Sequence, residues 1–203
     1  MSKVKISTTN SKLGVIPSVN LPPIITCRDG CPCSKSCYAT KGNFRFANVK
    51  SSHEQNYQSY LENPVQYFAD IIDAVKGGII TYNYFRWHAS GDIVDALYFD
   101  GMVSAANAAP NTLFLAFTKK FEIVNSYITN GGLIPSNLNI VFSAWGDDFH
   151  IENPYNFPVA HVRFPDETNK NIPNDAIECS GDCMNCLQCW NIGIGQSVVF
   201  NKH

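Results

Sequence analysis

The sequence predicts an α/β domain, built either as a partial (β/α) barrel or as an open, mostly parallel sheet, with cysteine-rich loops at the C-terminal ends of the strands. Three observations carry this expectation. Segments with helical and strand character alternate through the middle of the chain. The strand cores "LFLAF" and "NIVF" are continuous apolar runs, as in strands buried on both faces, rather than the in-out alternation of a half-exposed sheet. Eight cysteines fall into two groups of four, one following the first apolar run and one near the C-terminus.

The elements follow in order. Residues 1–23 are polar with scattered apolar positions and close on "LPP", so they are expected to run extended over the surface, with "IIT" as a first strand. "NFRFANVKSSHEQNYQSYLEN" and "PVQYFADIIDAVKGG" each read as a helix, the second opening on Pro64 and closing on Gly77 and Gly78. "NYFRWHASGD" reads as a strand running into a turn, and "DIVDALYFDGMVSAANAAP" as a helix. "TLFLAFTKK" is a strand, "FEIVNSYITNGG" a helix with a glycine stop, and "LNIVFSAWGDD", "PVAHVRFP" and "SVVF" complete the strand set. That makes about six strands, short of the eight that close a (β/α)8 barrel.

A chain of 203 residues is long enough for one domain with a substantial core. We divide it into an extended N-terminal segment at 1–23, a β/α core at 24–165 and a C-terminal cysteine segment at 166–203. In folds of this class chemistry gathers where the strands end. The polar residues at those ends are Ser90, Gly91 and Asp92; Thr118, Lys119 and Lys120; Ser143, Trp145, Asp147 and Asp148; and Arg163.

The net charge of -2 gives no electrostatic footprint for a nucleic-acid backbone, which is not an expected partner. No run of apolar residues is long enough to span a bilayer, and the N-terminus lacks the apolar core of a signal peptide. The expectation is a cytosolic protein without a membrane partner. In a reducing compartment eight cysteines read better as metal ligands than as four disulfides.

The first group is C-x3-C-x-C-x3-C at Cys27, Cys31, Cys33 and Cys37; the second is C-x3-C-x2-C-x2-C at Cys179, Cys183, Cys186 and Cys189. Structural zinc sites pair two short knuckles across a longer spacer, which neither group does. The run "CMNCLQC" is closer to the loop that wraps a cubane cluster, where the chain must reach several iron corners. The favoured cofactor is one or two [4Fe-4S] clusters, with zinc as the alternative. Spacing alone does not assign which cysteines share a cluster.

"TC" at Thr26 and Cys27, "CSKSCYATKG", "RWHASGD" and the closing "CW" at Cys189 and Trp190 resemble the phage proteins of the gene-product-eighty-eight-like family. That resemblance implies a viral or mobile-element origin, the cytoplasm of an infected bacterium as location, and shared metal ligands at Cys27, Cys33 and Cys37, with Cys31 extra. A second, architectural resemblance is to radical S-adenosylmethionine enzymes, which carry a C-x3-C-x2-C loop after the first barrel strand and a Gly-Gly-Glu-type motif after the second. It implies S-adenosylmethionine as a further cofactor, with Ser90, Gly91 and Asp92 at its methionine amino group. Cys27 and Cys31 match the first gap of that loop; Cys33 and Cys37 both miss the second.

Among the remaining residues, His88 in "RWHASGD" is either a core histidine with a satisfied hydrogen bond or a donor or ligand to a cluster. His53 is expected on a helix surface. Lys119 and Arg163 are the candidates to grip a ligand carboxylate. The chain holds no G-x-S-x-G, P-loop or G-x-G-x-x-G motif, which removes hydrolase and nucleotide-binding readings. The expected function is an iron-sulfur protein with a redox role, extending to radical S-adenosylmethionine-like chemistry, served by an electron donor or a small-molecule substrate. The alternatives are a ferredoxin-like electron carrier without substrate chemistry and a zinc-stabilised interaction protein.

Overall fold

The computed structural model describes residues 4–77 and 83–202. The elements in chain order are β1 (Ile6–Ser7), β2 (Ser18–Val19), α1 (Ala47–Glu62), α2 (Pro64–Lys76), β3 (Tyr84–Trp87), α3 (Ala96–Ala108), β4 (Leu113–Thr118) and α4 (Phe121–Thr129). They continue with β5 (Leu138–Ser143), β6 (Val159–Arg163), β7 (Ile177–Glu178), α5 (Cys183–Cys186), α6 (Gln188–Asn191) and β8 (Ser197–Asn201). Three single-turn 3-10 segments, Ser34–Ser36, Tyr38–Thr40 and Gly42–Arg45, carry the chain from the first cysteine group into α1.

Local chemistry explains the helix boundaries. Pro64 opens α2 at a position whose N–H needs no partner, and the Asn63 side chain accepts from Gln66 N at 3.0 Å. Asp95 caps α3 by accepting from Tyr98 N at 2.8 Å, and the same oxygen takes the Tyr60 hydroxyl at 2.6 Å, which ties α1 to the start of α3. Gly78, the second glycine expected to close α2, lies outside the described residues.

The strands form one eight-stranded sheet in the order β1-β2-β3-β4-β5-β6-β8-β7, parallel throughout except for β1 at the edge. The sheet is open, so the barrel alternative does not close. Parallel register lines up Phe85, Phe114 and Leu138 in one row and Trp87, Ala116 and Ile140 in the next; both rows pack into the core beneath α1 to α4. The intervening row, Arg86, Leu115 and Asn139, belongs to the other face, because successive side chains on a strand point to opposite sides.

All four long helices pack into the same core, on one face. The opposite face is covered by a smaller cluster in which Leu13, Ile16, Trp190 and Ile192 sit on Leu115, Val141, Ala160 and Val198. Its roof is the loop at residues 10–14 together with the C-terminal cysteine segment.

Two expectations about the N-terminus are corrected. Residues 16–22 are buried rather than spread over the surface, and the first parallel strand is β2, not "IIT". The run at 24–26 is a turn with Ile24 and Ile25 exposed, because Pro22 and Pro23 precede it and the neighbouring place beside β3 is taken by β2. His53, expected at the surface, is buried on α1 with its ring 6.1 Å from that of Phe44. Among the described residues no helix is long and apolar enough to cross a membrane.

Candidate functional site

The face opposite the long helices holds a cavity of about 550 Å³. Cys33 and Cys37 of the first group line it, as do all four of the second, Cys179, Cys183, Cys186 and Cys189; Cys27 and Cys31 lie off the lining. Cysteine positions 142 apart in sequence, at Cys37 and Cys179, therefore border one space.

The first group sits on turns that follow β2. The Cys27 sulfur accepts the Ile24 N–H at 3.4 Å, and burial pushes its thiol up to about 11 despite that bond, with Asp92, Cys31 and Cys37 near enough to raise it further. Cys31 and Cys33 bring their sulfurs to 2.9 Å. The contact, in which either sulfur can donate, lowers Cys31 and raises Cys33, and Lys119 favours the thiolate at both. Tyr38 anchors this loop to the end of β3 through its hydroxyl, which donates to Ala89 O at 2.7 Å.

The second group is placed by main-chain and aromatic contacts. Cys179 N donates to Val199 O at 2.9 Å beside β8, and Cys183 N donates to Lys12 O at 3.0 Å. Leu187 joins α5 to α6 in the left-handed region at φ 55°, a strained choice for leucine that reverses the chain so that Cys183, Cys186 and Cys189 border the same cavity. Trp190 pins α6 by donating to Phe85 O at 3.1 Å, and Asn139 donates to the carbonyls of Cys189 and Ile192. Gly14, at φ 59°, lets the 10–14 loop lie under α5, where a Cβ would stand 2.8 Å from the Met184 sulfur. Burial raises the thiols of Cys183 and of Cys189, the latter to about 11; Arg86 works in the opposite direction at both.

Arg86 stands between the two groups. Its guanidinium lies 4.1 Å from the Phe117 ring centroid and donates to Trp87 O at 2.9 Å and to His88 O at 3.4 Å. Burial lowers its pKa, and Tyr38, Cys183 and Cys189 are the groups that act against that. Sequence reasoning did not single out Arg86. The available signal was a charge at the centre of the aromatic strand "YFRW", on the side away from Phe85 and Trp87.

The residues expected at the site divide into those that reach the cavity and those that hold the frame. Lys119 lines the cavity and donates from Nζ to Ser143 Oγ at 2.8 Å. Ser90 is buried and donates to Leu21 O at 3.0 Å. Gly91, at φ 84°, passes so close to the 21–26 turn that a Cβ would stand 2.7 Å from Leu21 Cβ and from Thr26 Oγ1. Asp92 is buried, with one carboxylate oxygen accepting from Ile93 N at 2.8 Å and the other from Lys119 N at 2.9 Å. The "SGD" stretch thus fastens the ends of β3 and β4 to the loop before Cys27.

Arg163 lies off the cavity in an exposed two-bond pair with Glu178, at 2.6 and 3.1 Å. His88 is buried at φ 56° and turns toward the helices, its Nε2 3.0 Å from the Tyr98 hydroxyl; its Nδ1 has no hydrogen-bond partner. Among the described residues no three Cys, His, Asp or Glu side chains converge as a finished metal cage.

An open, mostly parallel sheet, helical on one face and carrying on the other a cavity lined by cysteines of both groups, defines a cysteine-rich α/β protein with a candidate site on its non-helical face. The chain belongs to the Gene product 88 family, whose model matches residues 2–196, and the match bears out the phage-family resemblance of its motifs. No curated protein and no solved structure matches it, and the likeness to radical S-adenosylmethionine enzymes finds no support among the comparisons.

Proposed function

We propose that this protein binds iron-sulfur clusters on the non-helical face of its sheet and serves a redox role. The observation that carries the reading is that cysteines of both groups, far apart in sequence, border one cavity: Cys33 and Cys37 of the first and all four of the second. The donor set fits such a group. All eight cysteines are free thiols, and burial helps to raise those of Cys27, Cys33, Cys183 and Cys189, with neighbouring thiols adding to it. Raised thiols bind metal with release of protons, so loading would be favoured as pH rises. Bound clusters of this type supply one-electron transfer.

The chain's own contributions are distinct from that chemistry. Arg86 and Lys119 place positive charge beside the thiols and favour their deprotonated form. The Ile24 N–H to Cys27 sulfur bond is of the kind that tunes a ligating thiolate. Phe117, Trp190 and Phe200 give the cavity an apolar wall that limits water. An electron-carrier role is preferred to S-adenosylmethionine cleavage, because Ser90 and Asp92 are engaged with the backbone rather than aimed into the cavity.

Purification without oxygen tests the reading. A brown protein with iron and acid-labile sulfide in roughly equal amounts is expected. Replacing Cys183 or Cys186 with Ser should lower the iron content, and the size of the loss separates one shared cluster from two. A colourless protein holding stoichiometric zinc would replace the reading with the zinc-stabilised alternative.

A further inference from the structure

Four cations border the cavity face, and each is laid against an aromatic ring: Lys12 on Phe200 at 4.5 Å, Arg86 on Phe117 at 4.1 Å, Lys119 on Trp145 at 5.8 Å and Lys202 on Phe164 at 4.5 Å. Among the described residues none of them is paired with a carboxylate. The ion pair among the described residues is Arg163 with Glu178, away from this face. Asp182, the acid on the cavity wall, is engaged in capping α5, where it accepts from Asn185 N at 3.3 Å and from Asn185 Nδ2 at 2.7 Å. In a chain of net charge -2, a cavity lined by Lys12, Arg86, Lys119 and Lys202 against one committed acid is a local reversal of sign.

Lys12, Arg86 and Lys119 are half-buried and Lys202 is exposed; apart from the cysteine thiols the half-buried three have no acidic partner in ion-pair contact among the described residues, and a desolvated charge needs one. Arg86 is the clearest case. Its Nε and one terminal nitrogen are used on carbonyls, which fixes the plane of the guanidinium against Phe117 and leaves its other terminal nitrogen without an acceptor among the described residues. Lys119 reaches the same cavity from the end of the neighbouring strand β4, held by Ser143. Between them the wall is aromatic, with Phe117 and Phe200 packed edge to face at 5.8 Å.

We propose that this cavity binds a small organic anion, its carboxylate or phosphate held between Arg86 and Lys119 and its apolar body against Phe117 and Phe200. Arg86 supplies directional hydrogen bonds and Lys119 a mobile point charge, the division these two residue types ordinarily make. The inference stands on the cations and rings and does not depend on which metal the thiols hold.

Isothermal titration of the full chain, purified anaerobically and assayed for metal, tests it with benzoate, phenyl phosphate, inorganic phosphate and benzyl alcohol as probes. Benzoate or phenyl phosphate should bind saturably and benzyl alcohol about tenfold more weakly or not at all, because it keeps the ring and lacks the charge. Benzoate against phenyl phosphate separates the two anion sources. Arg86→Gln and Lys119→Gln should each weaken the better anion by about tenfold or more, Arg86→Lys by less, and Lys76→Gln on α2 not at all.

Circular dichroism shows whether each variant folds, and Lys119→Gln carries the test if Arg86→Gln does not. Equal binding of benzyl alcohol and benzoate, absence of saturable anion binding, or unchanged affinity in a folded Lys119→Gln would each overturn the proposal. Iron-free protein that still binds the anion sinks the iron-sulfur reading alone; iron-loaded protein that binds no anion sinks this one alone.

Discussion

The two faces of the sheet are covered by different means. Beneath α1 to α4, aromatic side chains interlock in a continuous core: Trp87 stacks on Phe114, and Tyr98 meets Tyr60, Tyr67 and Phe68 at centroid distances of 4.9 to 5.8 Å. On the opposite face two four-residue helices and one loop do the covering, with Trp190 as the principal plug. Such short helices have almost no intrinsic stability, since nucleating a helix fixes several dihedrals for each hydrogen bond gained. The helical face is built by burial; the cysteine face needs a further tie. Metal held by the cysteine groups would provide that tie at the place where the fold is thinnest.

The largest expected effect lies on the helical face. Phe114→Ala removes a fully buried ring between Phe85 and Trp87 and should cost about 3–5 kcal/mol in urea unfolding, by the same amount with and without a chelator. A chelator-dependent cost would mean that the two faces are not independent.

Stripping the metal is the converse experiment. If a metal binds only the folded state at a thousandfold excess over its Kd, its removal withdraws about 4 kcal/mol. Loss of hydrogen-exchange protection should then concentrate at residues 179–192 and 10–14 and spare α1 to α4. An unchanged melting temperature, or uniform loss over both faces, breaks the comparison.

A third difference concerns pH. Burial, with Arg86 and Lys120 adding to it, depresses His88 from its ordinary 6.5 to about 3. The unfolded chain therefore binds a proton that the folded chain refuses between those values. The stability this contributes is present above about pH 6.5 and is lost as pH falls toward 3, with a slope near 1.4 kcal/mol per pH unit. His88→Asn suits the left-handed backbone and should flatten that dependence, read from melts at pH 4 to 7. An unchanged slope would assign acid sensitivity to other groups. The smallest effect is expected at Arg163→Gln, whose exposed pair with Glu178 should leave the denaturation midpoint where it is.

Much of the helical face was legible because its signals are local and repeated. Apolar runs such as "LFLAF" gave β4 and β5, Pro64 marked the start of α2, and the strand-helix alternation gave five adjacent parallel strands, β3 to β6 and β8. "IIT" misled because three apolar residues satisfy strand propensity, while Ser18 and Val19 won the place beside β3 through tertiary pairing that two residues cannot advertise. His53 misled in the same way: polar neighbours in sequence gave no sign of the turn carrying Phe44 that folds over it.

The sequence by itself determined the class of fold and the two cysteine groups, and it pointed to Lys119, which lines the cavity, since each is written in residue type and spacing. Only the tertiary structure decided that cysteines of the two groups share a cavity, that Arg86 rather than Arg163 lines it, and that Ser90 and Asp92 brace the frame. Those facts depend on which side of a strand a residue faces and on which loops meet across the sheet, and spacing along a chain carries neither.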